Sequence, residues 1–118
     1  MTGSSTQGIK TVLVPVSDLA KAKEVYAALL GVPPQADESY YVGFEAAGQH
    51  IGLVPGGGPQ GMTAPVAYWH VPDIEAKLAG LTAAGATVQK PARDVGGGRL
   101  VATVTDPDGN VLGLLQDT

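Results

Sequence analysis

The sequence predicts an α+β domain built from two related halves, each a strand, a helix and then short antiparallel strands. Three observations carry this. The order strand, helix, strands occurs twice along 118 residues. Val16-Ser17-Asp18-Leu19 recurs as Val71-Pro72-Asp73-Ile74 at an offset of 55 (71 − 16). Gly48-Gln49-His50-Ile51-Gly52-Leu53-Val54 recurs as Gly109-Asn110-Val111-Leu112-Gly113-Leu114-Leu115 at an offset of 61 (109 − 48), only six residues different from the first (61 − 55). Self-similarity at a nearly constant offset is the mark of an internal duplication.

The elements follow in order. Ile9 to Val16 is rich in Val, Ile and Thr and has strand length. Ser17 and Asp18 can cap a helix by accepting a bond from an otherwise orphaned backbone N–H. Leu19, Ala22, Val25, Tyr26, Leu29 and Leu30 recur at three- and four-residue spacing as one apolar stripe, and Gly31 offers the left-handed stop. Ser39 to Ala46 leaves room for middle strands before the closing strand around His50-Ile51-Gly52-Leu53. In the second half Pro65 to Val71 reads as a strand, Asp73 as a cap, Ile74, Leu78 and Leu81 as the stripe, and Gly85 as the helix end. Thr87 to Lys90 and Leu100 to Thr105 then read as strands. The closing hairpin turns at Asp106-Pro107-Asp108-Gly109-Asn110, where proline presets one dihedral and glycine supplies a positive one. The expected organisation is a flexible segment 1–8, a first module 9–54, a Gly/Pro-rich linker 55–64 and a second module 65–118.

Composition narrows the function classes. A net charge of −4 with seven scattered Lys and Arg argues against nucleic acid, whose phosphates need clustered cations. The absence of cysteine excludes disulfides, thiolate nucleophiles and Cys-ligated zinc. Met1 to Gly8 lacks the pattern of a signal peptide and no apolar run is long enough to span a bilayer, so a cytoplasmic location without membrane contact is expected. The run Gly96-Gly97-Gly98 lacks the Lys-Ser/Thr and the strand-loop-helix setting of a phosphate-binding loop.

Paired βαβββ modules carrying Val16-Ser17-Asp18-Leu19 and a terminal Asp106-Pro107-Asp108-Gly109-Asn110-Val111-Leu112 resemble the vicinal oxygen chelate superfamily, the glyoxalase, bleomycin-resistance and dioxygenase-like proteins, from Ile9 to Gln116. The resemblance implies that the sheets curl into a cup enclosing a ligand cavity, and that the chain forms a homodimer. It also implies where metal ligands would stand. The first-strand position, five residues before the signature valine, falls on Thr11 (16 − 5) and Val66 (71 − 5). The last-strand position, usually a glutamate, falls on Gly52 and Gly113. None of the four offers a donor suited to a divalent ion, so neither a metal nor another cofactor is expected. Glycine at two of them also leaves volume where a glutamate would stand.

Strand alternation then predicts a pocket lining. Thr11, Leu13, Val66, Tyr68 and His70 face the cup from the first strands, His50, Gly52 and Gly113 from the closing strands, and Tyr40 or Tyr41 with Phe44 from the middle strand. Trp69 belongs to the helix side unless the register slips by one residue. Asp18 and Asp73 are explained as helix caps, and no Ser-His-Asp arrangement can be assembled. The expected function is metal-independent binding of a small organic molecule; the alternative is a lyase, isomerase or dioxygenase using a displaced metal, for which His50, His70 and Glu45 are the conceivable ligands, or His50 and His70 as acid or base.

Overall fold

The β-branched first strand, the Asp-capped helix and the Gly-ended turns fold as the sequence predicts, and the protein is α+β. The computed structural model describes residues 6–57 and 62–117. Its elements are β1 (Gly8–Val16), α1 (Leu19–Leu30), β2 (Ala36–Glu38), β3 (Tyr41–Ala46), β4 (Gln49–Pro55), β5 (Val66–His70), α2 (Ile74–Ala83), β6 (Thr87–Asp94), β7 (Leu100–Thr105) and β8 (Val111–Gln116). Residues 1–5 of the expected N-terminal segment and 58–61 of the expected linker lie outside the described residues. The chain divides into two compact units, residues 10–66 and residues 67–118 together with 1–9.

In the first unit the strand order is β2-β3-β4-β1, with β1 parallel to β4. A parallel pair cannot be closed by a tight turn, and the chain between them, which includes α1, makes the crossover. The Asp18 carboxylate accepts from the Lys21 N–H at 3.1 Å, and Gly31, at φ 73°, ends the helix with its own N–H bonded to the Ala27 carbonyl at 2.8 Å. One sheet face, centred on Val42, Phe44 and Leu53, packs under Leu19, Ala22, Tyr26, Ala27 and Leu30. Val25 and Leu29, expected in that stripe, instead stand in solvent at 63% and 72% exposure. Helical rotation from the contact line Leu19-Ala22-Tyr26-Leu30 carries them off the sheet.

The second unit repeats the plan with order β5-β8-β7-β6 and β5 parallel to β8. Asp73 caps α2 by accepting from the Ala76 N–H, and the Ile74 N–H is taken by the Gln116 side-chain carbonyl at 2.7 Å. Val71, Ile74, Leu78, Ala102, Val104 and Leu114 form its core, with Trp69 and Leu81 packed against it. Trp69 thus has the helix-side phase that alternation predicts. The closing turn is held by Asp106, whose carboxylate accepts from the backbone N–H of Asp108 and Asn110 and from the Asn110 amide. These bonds, that of the Asn110 side chain first, hold the Asp106 carboxyl below the usual aspartate range.

Two strand boundaries differ from expectation by more than one residue. The first middle strand of unit one begins earlier, at Ala36, so that Glu38 pairs with Tyr41. β6 runs on to Asp94 because irregularities between Val88 and Lys90 and between Lys90 and Arg93 let it keep pairing with β7 past Pro91. Among the described residues no helix is long and apolar enough to cross a membrane.

Candidate functional site

Helices cover one face of each sheet, so candidate chemistry lies on the other. In the first unit the register settles which residues share that face. β1 sets Thr11 beside His50 and Leu13 beside Gly52, while β3 sets Glu45 opposite His50 and Gly43 opposite Gly52. By alternation Tyr41 joins Gly43 and Glu45. Phe44, expected in the pocket, is instead fully buried under α1, because Glu45 and not Phe44 pairs with His50. Tyr40 is 70% exposed, so Tyr41 is the middle-strand aromatic of this face.

The local cause of this register is the two-residue turn between β3 and β4. Ala47 and Gly48 both have positive φ, 54° and 77°, as a tight hairpin turn whose twist matches the strands requires. That turn pairs Ala46 with Gln49 and therefore Glu45 with His50.

The result is a chain of three polar groups. The His50 Nδ1 lies 2.5 Å from the Glu45 carboxylate, and its Nε2 is hydrogen-bonded to the Tyr41 hydroxyl. A carboxylate only accepts, so Nδ1 carries the proton of this contact, and in the neutral imidazole Nε2 is then the acceptor for the phenol. The Tyr41 and His50 rings lie nearly parallel, 13° apart, with centroids 6.1 Å from one another. Bare backbone makes this possible. A Cβ at Gly43 would sit 2.9 Å from Tyr41 Cε2, and one at Gly52 would sit 2.7 Å from both Tyr41 Cε1 and Leu13 Cδ2. The His50 side chain is 21% exposed and that of Glu45 49%, so the chain is open to solvent at its carboxylate end.

The second unit holds an equivalent pair. Tyr68 is the register partner of Gly113, and a Cβ on that glycine would lie 2.6 Å from the Tyr68 ring. Tyr68 is 1% exposed and its hydroxyl has no hydrogen-bond partner among the described residues. Burial pushes that phenol above the ordinary tyrosine value, against a smaller opposing pull from Arg93. On the same sheet face Thr103, paired with Gly113, donates to the Gln89 side-chain carbonyl at 2.9 Å. His70 Nδ1 is 3.9 Å from the Asp117 carboxylate, which Arg99 grips with two nitrogens at 2.7 and 3.2 Å. The Arg99 hydrogen bond, more than its charge or that of His70, holds the Asp117 carboxyl below its usual range.

Of the expected lining residues, Thr11, Leu13, Tyr41, His50 and Gly52 are gathered on one face of the first unit. Tyr68, His70 and Gly113 lie on β5 and β8 of the second, and Val66, at the start of β5, is buried. The volume expected at Gly52 and Gly113 is not open, because tyrosine rings stand over both glycines. The sequence groups Glu45 with His50 as a conceivable metal ligand, whereas here it is the hydrogen-bond partner that orients the imidazole; the Asp117–Arg99 pair beside His70 was not foreseen. The Ala-Gly turn, read as a two-residue hairpin, is the signal that would have placed Glu45.

The residues at the four metal positions do not fit a divalent ion. Thr11 and Val66 are buried without carboxylate or imidazole, and Gly52 and Gly113 are covered by phenol rings. Both nitrogens of His50 are already bonded within the protein. Among the described residues no group of three or more His, Asp or Glu is placed to hold a metal.

Repeated βαβββ units, each with polar and aromatic groups on its helix-free face, define a protein of the paired-module α+β class. A family model described as Glyoxalase/Bleomycin resistance protein/Dioxygenase superfamily matches residues 8–114, and the chain belongs to that superfamily. Solved structures share the fold at low identity. A methylmalonyl-CoA epimerase from Mycobacterium tuberculosis aligns with a TM-score of 0.77 and 18% identity, covering 100% of this chain and 93% of that one. A Mn(II)-bound glyoxalase from Novosphingobium aromaticivorans aligns at 0.73 and 21%, covering 97% of this chain and 40% of that one. A superfamily member from Vibrio splendidus aligns at 0.67 and 15%, covering 96% and 100%. No curated protein matches the sequence.

Proposed function

We propose that this chain is a metal-independent small-molecule-binding protein of the glyoxalase/bleomycin-resistance type, taking an organic ligand on the helix-free sheet face that carries Tyr41 and His50. The observation that supports it is the replacement of the family's last-strand carboxylate by glycine in both modules, with a tyrosine ring laid over each glycine. Aromatic area with a few polar points is what a small organic ligand needs in order to be buried and oriented. A solved epimerase of this fold holds methylmalonyl-CoA, which supports an organic ligand rather than a macromolecule. A homodimer in the cytoplasm, without membrane or nucleic-acid contact, belongs to the same proposal.

The test is a thermal-shift screen of metabolites and antibiotics in the presence of a chelator. At least one ligand raises the midpoint, and the rise is unchanged when the chelator is replaced by divalent metals. A rise seen only with metal overturns the reading. A second reading, an enzyme of the same fold, is favoured by one observation, the alignment of Tyr41, His50 and Glu45.

A further inference from the structure

Tyr41, His50 and Glu45 form a directed chain that the fold does not need for packing. Val42, Phe44 and Leu53 already fix β3 and β4 against α1 from the opposite face. Glu45 fixes the tautomer of His50, and His50 presents an acceptor lone pair to the Tyr41 phenol. A hydroxyl so placed can pass its own proton inward while taking one from outside. Carboxylate-oriented imidazole activating a hydroxyl is a recurrent chemical arrangement, recognised by geometry rather than by fold.

We propose that Tyr41, backed by His50 and Glu45, is a metal-free proton-transfer base acting on a small, flat carbon acid bound on this face. This rests on the proposal that the face binds an organic ligand, and adds the chemistry done there. In the step the ligand C–H bond breaks and its proton goes to the Tyr41 oxygen. The phenolic proton moves to His50 Nε2, and the imidazolium is held by the Glu45 carboxylate. The electron pair stays on the ligand as a stabilised carbanion or expels a leaving group, so no oxidant or reductant is required. The near-parallel Tyr41 and His50 rings, with Leu13 beside Gly52, give a flat ligand a matching surface. Among the described residues, β2 brings the titratable Glu38 into register with Tyr41, while β1 sets Thr11 and Leu13, which do not titrate, beside His50 and Gly52.

The probe is 5-nitrobenzisoxazole, a flat carbon acid whose deprotonation cleaves its N–O bond and releases a coloured phenolate. Binding is followed separately by chemical-shift perturbation. The parent protein binds the probe saturably and turns it over faster than buffer. Tyr41→Phe still binds but loses the rate above buffer, a fall of roughly a hundredfold or more. His50→Gln falls by a similar factor, while Tyr40→Phe, at the exposed neighbouring position, keeps the parent rate. Glu45→Gln lowers kcat and leaves KM for the probe near the parent value, and Glu45→Asp restores part of the loss. A merely structural Glu45 would move kcat and KM together. Saturable binding without turnover, or turnover that survives Tyr41→Phe, overturns the relay and leaves the binding proposal standing. Neither binding nor turnover overturns both.

Discussion

Replacing Gly113 by alanine places a Cβ 2.6 Å from Tyr68 Cδ2 and 2.8 Å from Cε2 and Cγ. Carbon atoms in contact rest about 3.5–4.0 Å apart, so the ring must retreat by close to ~1 Å. Tyr68 is 1% exposed, and the atoms struck include its root, so the ring cannot yield without moving β5 or β8. Overpacking of this kind costs about 1–3 kcal/mol, and removing glycine from a strand offsets roughly 0.5–1 kcal/mol of it. These ranges leave a net loss of about 0–2.5 kcal/mol, and because the methyl strikes the root of an enclosed ring the loss is expected in the upper half of that range, in urea unfolding with an unchanged denaturant slope. Gly52→Ala is the control. There the new methyl meets the far ends of Leu13 and of half-buried Tyr41, which can swing outward. Stability stays near the parent value, and the Tyr41–His50 hydrogen bond is what breaks. A Gly113→Ala protein as stable as the parent, with Tyr68 still packed over β8, would refute this reasoning.

Other expectations follow from the same geometry. Tyr68→Phe removes a buried hydroxyl that has no partner among the described residues, and should raise stability by about 1 kcal/mol in chemical denaturation. Because burial raises the Tyr68 phenol in the folded state, its stabilising contribution is present below the ordinary tyrosine value near ~10 and is lost as pH climbs through the raised one. The parent should accordingly lose stability above about pH 10 more steeply than Tyr68→Phe. Asp117 has the opposite sign: its depressed carboxyl contributes above the usual aspartate value and is lost as pH falls through the folded one, so Asp117→Asn should flatten the stability profile below about pH 4. Ala47 holds φ 54° where asparagine is favoured, and Ala47→Asn should raise stability by about 0.5–1 kcal/mol in urea unfolding.

Much of the fold was legible because duplication printed the same signals twice. Asp18 and Asp73 cap their helices as read, and the Asp106 turn closes its hairpin as read. Local chemistry decides such features: a cap or a turn needs only its neighbours. The middle strand carried its phase in the sequence: Tyr40, Val42, Phe44 and Ala46 are the apolar parity and Ser39, Tyr41, Gly43 and Glu45 the more polar one, so alternation already sets Phe44 and Tyr41 on opposite faces. Which parity lies under α1 follows from the pairing with β4 that the Ala47-Gly48 turn fixes. The candidate site was half visible. Glycine at 52 and 113 announced the missing donors, but that tyrosines fill the space is a matter of side-chain reach across neighbouring strands, which alternation does not encode.

The most direct test of metal independence is calorimetric titration of Mn2+, Ni2+ and Zn2+ into chelator-treated protein. With glycine under tyrosine at two family positions and Thr11 and Val66 at the others, the titration should show no saturable site approaching one ion per chain. A single stoichiometric site that disappears in His50→Gln would contradict it.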